Sequence, residues 1–255
     1  MNRNLLLPGC GLALLLGWGC STDRFKLPQA LPGSPATYAP PELNLDQKQI
    51  LERAAGQPPS PVAGEGWRAL FDGHSLAGWR NIEFGGQGRV AVWKGLLLLP
   101  AGTPFTGVNW TNDAPKVNYE ISLEAMRVSG SDFFCGLTVP VRDSFCSLIV
   151  GGWGGTLVGI SCLDGADASE NETTQFVSFE SGRWYRIRLR VTETKIEAWV
   201  EQKKVVNVTT TGRKLSLRFG DIELSKPLGI TSWDTGAALR EIQIRTVTVP
   251  DSPAE

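Results

Sequence analysis

The chain has 255 residues and a net charge of −1, with 42% hydrophobic and 20% charged residues. That balance suits one domain of moderate size plus extra segments, and it offers no basic excess for nucleic acid. A single histidine, His74, excludes any site built on two or more histidines, and most zinc enzymes with it. Glycine at 29 and tryptophan at 9, with few long helical runs, point to an all-β fold.

Residues 1–20 read as a targeting segment. Arg3 supplies a positive start, and residues 5–16 form an apolar run of signal-peptide length that is too short to span a bilayer. The run ends at Gly17-Trp18-Gly19-Cys20, which resembles a bacterial lipoprotein signal. That resemblance implies a lipidated Cys20 as the mature N-terminus, with Ser21 permitting sorting to an outer membrane. Residues 21–66 form a tether in which Pro28, Pro32, Pro35, Pro40, Pro41, Pro58, Pro59 and Pro61 favour extended, semi-rigid chain. Within it, residues 44–55 pattern as one short helix. Leu45, Ile50, Leu51 and Ala54 share a face and Asn44 is the cap. Such a helix is marginal alone and is expected to dock weakly or act as a spacer.

The folded domain is predicted over 67–249, with 250–255 a frayed tail. Asp72-Gly73 suits a turn with positive φ, and His74 reads as a turn residue. Residues 89–99 predict a hairpin around Lys94-Gly95. Residues 117–125 alternate strictly, with Tyr119, Ile121 and Leu123 on one face and Glu120, Ser122 and Glu124 on the other. That is the pattern of a half-buried antiparallel strand. Residues 184–191 alternate as clearly, with Arg186, Arg188 and Arg190 opposite Tyr185, Ile187 and Leu189. The arginine row reads either as a face that recognises anions or as a solvated face paired across strands with Glu197 and Glu201, the second being the expectation. Segments 228–232 and 239–249 close the domain. About a dozen strands with no helix between them predict a jelly-roll β-sandwich, since two amphipathic sheets bury each other's apolar faces.

Residues 131–174 hold most of the candidate chemistry. Strand-length apolar segments at 133–139, 145–150 and 157–163 are separated by breaks at 140–143, 151–155 and 164–172. The breaks carry Arg142, Asp143, Asp164, Asp167, Glu170 and Glu172, and Asp132 stands just ahead of the first segment. Gly151-Gly152-Trp153-Gly154-Gly155 sets an indole among four residues without side chains. Trp153 is then either a platform for a sugar ring or a hairpin residue packed on the core. Cys135, Cys146 and Cys162 allow at most one disulfide. A Cys135–Cys146 link and three buried thiols are both open.

The opening Leu70-Phe71-Asp72-Gly73-x-Ser75-Leu76-x-Gly78-Trp79 resembles the bacterial 3-keto-disaccharide hydrolase family. Tyr119-Glu120-Ile121, Glu180-Ser181-Gly182-Arg183-Trp184-Tyr185 and residues 228–242 fit later strands of that family, so the resemblance covers 67–249. It implies a concanavalin- or laminarinase-like jelly roll. Three places depart. Asp132-Phe133-Phe134-Cys135-Gly136 stands where members carry Asn-Ser-Gly, Ser147-Leu148-Ile149-Val150 stands where they carry a strand glutamate, and Thr235 replaces the histidine of a turn. Segment 164–172 is then this chain's own polar centre.

The resemblance further implies action on glycosides oxidised to a ketone at carbon 3. A base removes the acidic hydrogen at carbon 2, the glycosidic oxygen leaves carbon 1, and water adds to the resulting 2-hydroxyglucal. On that implication Asp164, Asp167 and Glu170 are the catalytic candidates, and Trp153, Arg142, Asp132, Trp233 and Asp234 the substrate contacts. Arg142 or a divalent metal such as Ca²⁺, held by oxygens of 164–172, stabilises the enolate. The competing reading of 164–172 is a solvated acidic loop. The expected partner is carbohydrate, with the membrane met only through the lipid anchor, at the cell envelope. Two functions follow: a hydrolase or lyase for 3-keto-glycosides, or a non-catalytic carbohydrate-binding or envelope module. Carboxylates converging in a pocket mark the first; a shallow aromatic platform without them marks the second.

Overall fold

A computed structural model describes residues 42–248. The expectations for 1–20, including lipidation of Cys20, for the tether up to residue 41 and for the tail 250–255 lie outside the described residues.

The alternating segments form two antiparallel sheets. The first runs β13 (Lys203–Thr209), β12 (Lys195–Val200), β11 (Tyr185–Val191), β6 (Tyr119–Ser129), β15 (Gly236–Thr246), β4 (Leu96–Leu99) and β3 (Ala91–Trp93), with β1 (Arg68–Ala69) also paired to β15. The second runs β10 (Gln175–Phe176), β9 (Leu157–Ser161), β8 (Ser144–Gly152), β7 (Cys135–Val141), β14 (Gly229–Trp233), β5 (Phe105–Trp110) and β2 (Trp79–Asn81). Ile121, Leu123, Ile187 and Leu239 of the first sheet meet Val108, Leu137, Leu148 and Ile230 of the second in one closed core. This is the expected sandwich, with one addition. A short 3₁₀ helix (Asp221–Ser225) interrupts the strands between β13 and β14.

Helix α1 (Leu45–Ala55) forms where the pattern places it, with Asn44 and Gln47 making a reciprocal capping box. Marginal alone, it is held by burial: Leu51 and Ala54 pack on Leu96, Leu98, Met126 and Ala238 of the first sheet's outer face. Next to this apolar patch, the same outer face is ionic. Glu120, fully buried, accepts from Arg188 at 3.0 Å, Arg190 at 3.2 Å and Arg245 at 2.7 Å. Glu124, also buried, pairs with Arg240 at 2.6 Å and Arg186 at 3.1 Å, and accepts the Ser60 N–H at 2.8 Å. Arg240 donates onward to the Gln57 carbonyl at 2.6 Å, and Arg186 to that of Ser60. Strand β6 is therefore buried on both faces, not half-buried. The arginine row is largely covered, and it pairs first with β6. Glu197 takes Arg190 only at 3.7 Å, and Glu201 accepts the Arg186 backbone N–H at 3.0 Å.

The register settles the cysteines. Cys135 lies opposite Val150 and Cys146 opposite Val139, so the two stand four rungs apart. At ~3.3 Å per residue that exceeds the ~7 Å Cα separation a disulfide can bridge. All three are free, buried thiols. Burial pushes Cys135 and Cys146 up to about 12, so both stay protonated and act as small hydrophobes.

The ionic face makes a testable distinction. Glu124→Ala leaves two buried guanidinium groups without their shared carboxylate and is expected to cost about 3–5 kcal/mol. Glu197→Ala, at the partly exposed rim, should cost no more than about 1 kcal/mol. Urea unfolding of both variants checks this; equal midpoints would contradict it.

Candidate functional site

The second sheet leaves its outer face open to ligand. Alternate strand residues share a face, so Phe105 of β5, Ser147 and Ile149 of β8, Ser161 of β9 and Trp233 of β14 form one floor. Ser147 and Ser161 are cross-strand partners. The hydroxyls of Ser147, Thr138 and Ser225 form a buried chain with 2.7 Å steps that ends on the Ile222 carbonyl. That chain pins the 3₁₀ helix to the sheet. Phe105 packs edge-on against Trp233, with ring centres 4.5 Å apart, and stacks on Phe84 at 4.9 Å. Loops from four parts of the chain wall this floor into a cleft of about 450 Å³.

The first wall is the glycine-rich turn after β8. Buried Arg127 donates to the Gly155 carbonyl at 2.9 Å and to that of Gly151 at 3.4 Å. Gly151 has φ 82°, and a Cβ there would sit 2.8 Å from Arg127 Nη2 and 2.9 Å from the Phe134 ring. A side chain at this position would both strain the backbone and push on Arg127. Asp132 braces the turn from the other side. Its Oδ2 accepts the Gly154 N–H at 3.3 Å and its Oδ1 the Phe133 N–H at 2.7 Å, while its own N–H donates to buried Thr235 Oγ1 at 3.0 Å. Trp153 is thus held at φ 47° with 43% of its surface exposed at the cleft. It is not packed on the core.

The second wall is the acidic loop. Asn171 Nδ2 reaches the carbonyls of Ile160, Ala166 and Asp167 at 2.8, 3.1 and 2.7 Å, and Thr173 Oγ1 donates to Asn171 Oδ1 at 2.5 Å. This locked backbone sends neighbouring carboxylates in different directions. Asp164 accepts from Arg213 Nε at 2.5 Å and the Lys214 N–H at 2.7 Å, and Glu172 takes Arg213 Nη1 at 2.6 Å. Those donors hold both carboxyls below their ordinary values: the Lys214 amide and then Arg213 for Asp164, Arg213 first for Glu172. Asp167 instead lines the cleft and takes Arg218 Nη1 at 2.8 Å. Glu170 opens onto an adjoining cleft of about 380 Å³.

The third wall is segment 213–225, which brings Arg218, Phe219 and Asp221. Phe219 is 95% exposed at the rim, so it packs on nothing in the fold.

Of the residues expected at a site, Asp132, Trp153, Asp167 and Trp233 line one cleft and Glu170 its neighbour. Asp164 is turned to Arg213, outside both clefts. Arg142 braces a distant turn, donating to the carbonyls of Glu193 at 2.7 Å and Thr210 at 3.2 Å, so it does not meet this cleft. Asp234 sits in the turn after β14 at φ 45°, its N–H bonded to the Pro104 carbonyl at 2.7 Å, and lines neither cleft. Among the described residues no group of three or more His, Cys, Asp or Glu could hold a metal ion, because Asp164 and Asp167 diverge to different arginines. Arg218, Phe219 and Asp221 escaped the sequence reading. Their signal was a stretch between β13 and β14 with no strand pattern, rich in charge: long irregular connections are disproportionately functional.

Residues 66–245 match the family described as a 3-keto-alpha-glucoside-1,2-lyase-like domain. No curated protein matches the chain. Among solved structures it is similar to a candidate glycosyl hydrolase from Parabacteroides distasonis ATCC 8503, at 13% identity, over 81% of this chain and 98% of that one, with a TM-score of 0.46. It is also similar to the carbohydrate-binding module CBM66 from Bacillus subtilis, at 11% identity, over 66% of this chain and 96% of that one, with a TM-score of 0.45.

The Arg213 clamp has a pH signature. Depressed carboxyl values mean that its contribution is full above the ordinary values of 3.8 and 4.5 and is lost as pH falls through the lowered ones. Amide hydrogen exchange across 164–174, corrected for intrinsic rates, should stay slow at neutral pH and quicken in acid below that window. In Arg213→Ala it should be fast at both pH values. A loop equally protected in that variant would show that the clamp does not hold it.

Proposed function

The chain belongs to the 3-keto-alpha-glucoside-1,2-lyase-like family, and on that premise we propose that it cleaves 3-keto-glycosides by β-elimination and hydration at the bacterial cell envelope. The observation that carries the reading is the convergence of three carboxylates, Asp132, Asp167 and Asp221, and the Arg218 guanidinium on one aromatic-floored cleft. Carbohydrate is the ligand class that suits it. Sugar rings have an apolar face for an indole or phenyl ring and hydroxyls for the polar groups.

Asp221 is the base of this reading. The neighbouring Lys226 pairs with Glu223, 3.1 Å away, and no ion pair engages Asp221 among the described residues. Its carboxylate takes the proton from carbon 2 of the ketosugar. Arg218, steadied by Asp167, donates to the oxygen at carbon 3 as it gains enolate charge. The carbon 1–oxygen bond then breaks, and the protonated Asp221 returns its proton to the departing oxygen. Water next adds across the carbon 1–carbon 2 double bond to give the free ketosugar. Asp132 acts by holding the Trp153 turn. No step is routed through a metal.

A binding module on the same fold is the second reading. It is favoured by the half-exposed Trp153 and bare Phe219 at the cleft and by the absence of a carboxylate in Ser147-Leu148-Ile149-Val150, where the family resemblance has a strand glutamate.

Incubating the full chain with a 3-keto-glucoside, with and without divalent metal, and following aglycone release and the appearance of the free ketosugar separates the two. The expected result is release that falls ~10²–10⁴-fold in Asp221→Asn and ~10²–10³-fold in Arg218→Ala. Binding without release would leave the module. Unchanged release in Asp221→Asn would move the base elsewhere.

The same proposal has Cys20 lipidated. Cys20→Ser should shift the protein from the membrane fraction to the soluble one; identical partition of the two would remove the anchor.

A further inference from the structure

The two clefts share one wall. Trp153, Asp167, Arg218 and Phe219 line both, and the Asp167–Arg218 pair, 2.8 Å apart, stands at the junction. Their linings differ. The larger cleft is floored by Phe105, Ile149, Ile222 and Trp233, while the smaller is walled by Ser169, Glu170 and Ser216. An apolar group leaving the ketosugar would meet mostly hydroxyls and a carboxylate there. A sugar would meet hydrogen-bond partners, with Trp153 and Phe219 at the rim for its apolar face.

Charge narrows the choice further. The joined clefts carry Asp132, Asp167, Asp221 and Glu170 against Arg218, and Arg218 is already paired with Asp167. A carboxylated or sulfated sugar would enter against like charge. Glu170 is exposed in the smaller cleft, and no ion pair engages it among the described residues. Its backbone is nonetheless fixed. The Glu170 N–H donates to the Asp167 carbonyl at 2.9 Å, and Asn171 ties the loop to three carbonyls. The subsite is therefore formed before ligand arrives, which lowers the ordering cost of binding.

We infer that the smaller cleft is the subsite for the departing sugar, and that Glu170 makes it favour an amino sugar over a neutral one and both over a uronic acid. The inference rests on the reading of the larger cleft as the ketosugar site, but it concerns binding and is tested without turnover.

Calorimetry on the full chain with glucose, glucosyl-glucose, glucosyl-glucosamine and glucosyl-glucuronate tests it, since none of these carries the ketone. Glucosyl-glucose should bind about tenfold more tightly than glucose, as expected for a second engaged ring. The amine should bind more tightly than the neutral disaccharide, and the uronate more weakly. Glu170→Gln should shrink each of those two steps by about two- to fivefold, the scale of an exposed charge pair. Ser169→Trp, which fills the smaller cleft, should erase the disaccharide advantage and retain glucose binding. No advantage over glucose, an advantage that survives Ser169→Trp, or a uronate bound as tightly as the amine would each overturn the proposal. Disaccharide preference without ketone-dependent release would leave this subsite standing and remove the lyase reading; release without that preference would do the reverse.

Discussion

Two carboxylates on the outer face of a central strand dictate how this sandwich is used. Glu120 and Glu124 have almost no exposure, and a buried carboxylate needs cations and donors around it. Five arginines from β11 and β15 supply the cations, and the Ser60 amide supplies a donor. Arg186 and Arg240 then bond the carbonyls of residues 57–60, so the chain ahead of β1 is drawn across the sheet. With α1 on the apolar part and this segment on the ionic part, the first sheet has little free face left. The aromatic-floored cleft lies on the outer face of the second sheet.

On that second face the walls are held by backbone chemistry more than by packing. Arg127 and Asp132 grip the glycine-rich turn from two sides, Asn171 gathers three carbonyls of the acidic loop, and the Ser147–Thr138–Ser225 hydroxyls tie down the 3₁₀ helix. Each clamp is a buried or half-buried polar group bonded to main chain or to another hydroxyl. That is how irregular segments become fixed without apolar burial of their own. Trp153 and Asp221 then line the cleft from backbone that these clamps hold.

The strands were legible in the sequence because a period of two survives even when a strand's environment is misjudged. For β6 and β11 the alternation identified the right residues on each face. It did not tell that the polar face was covered, since the cover comes from residues 42–66 and from Arg240 and Arg245 near the other end of the chain. In the site, Trp153 and Asp132 were legible through the glycines and the break in pattern around them. The acidic run was recognised as a unit, yet spacing alone did not separate Asp167, which faces the cleft, from Asp164, which faces Arg213. That division is made by Asn171, whose amide decides how the loop folds. Arg218 and Asp221 were missed because they lie on an irregular segment that only the tertiary fold brings over β8 and β9.

The most recognisable motif lies apart from the clefts. In Leu70-Phe71-Asp72-Gly73-x-Ser75, Asp72 accepts the N–H groups of His74 and Ser75 at 2.7 Å each, and Trp79 Nε1 donates to the Leu70 carbonyl at 2.8 Å. It builds a corner of the sandwich, and none of its residues lines either cleft. Thr235 makes the same point from the other direction. Standing where the family resemblance has a histidine, it is fully buried and receives the Asp132 N–H. The position supports Asp132, which in turn holds the Trp153 turn at the cleft. The motif can therefore report the fold faithfully while the polar groups of the clefts lie on loops with other constraints. Here the carboxylate that resemblance expects on β8 is absent, and the clefts' carboxylates come from loops 130–134 and 162–174 and from the 3₁₀ helix. Substitution in those loops alters charge and shape without touching the core, so sugar preference can change while the corner motif does not.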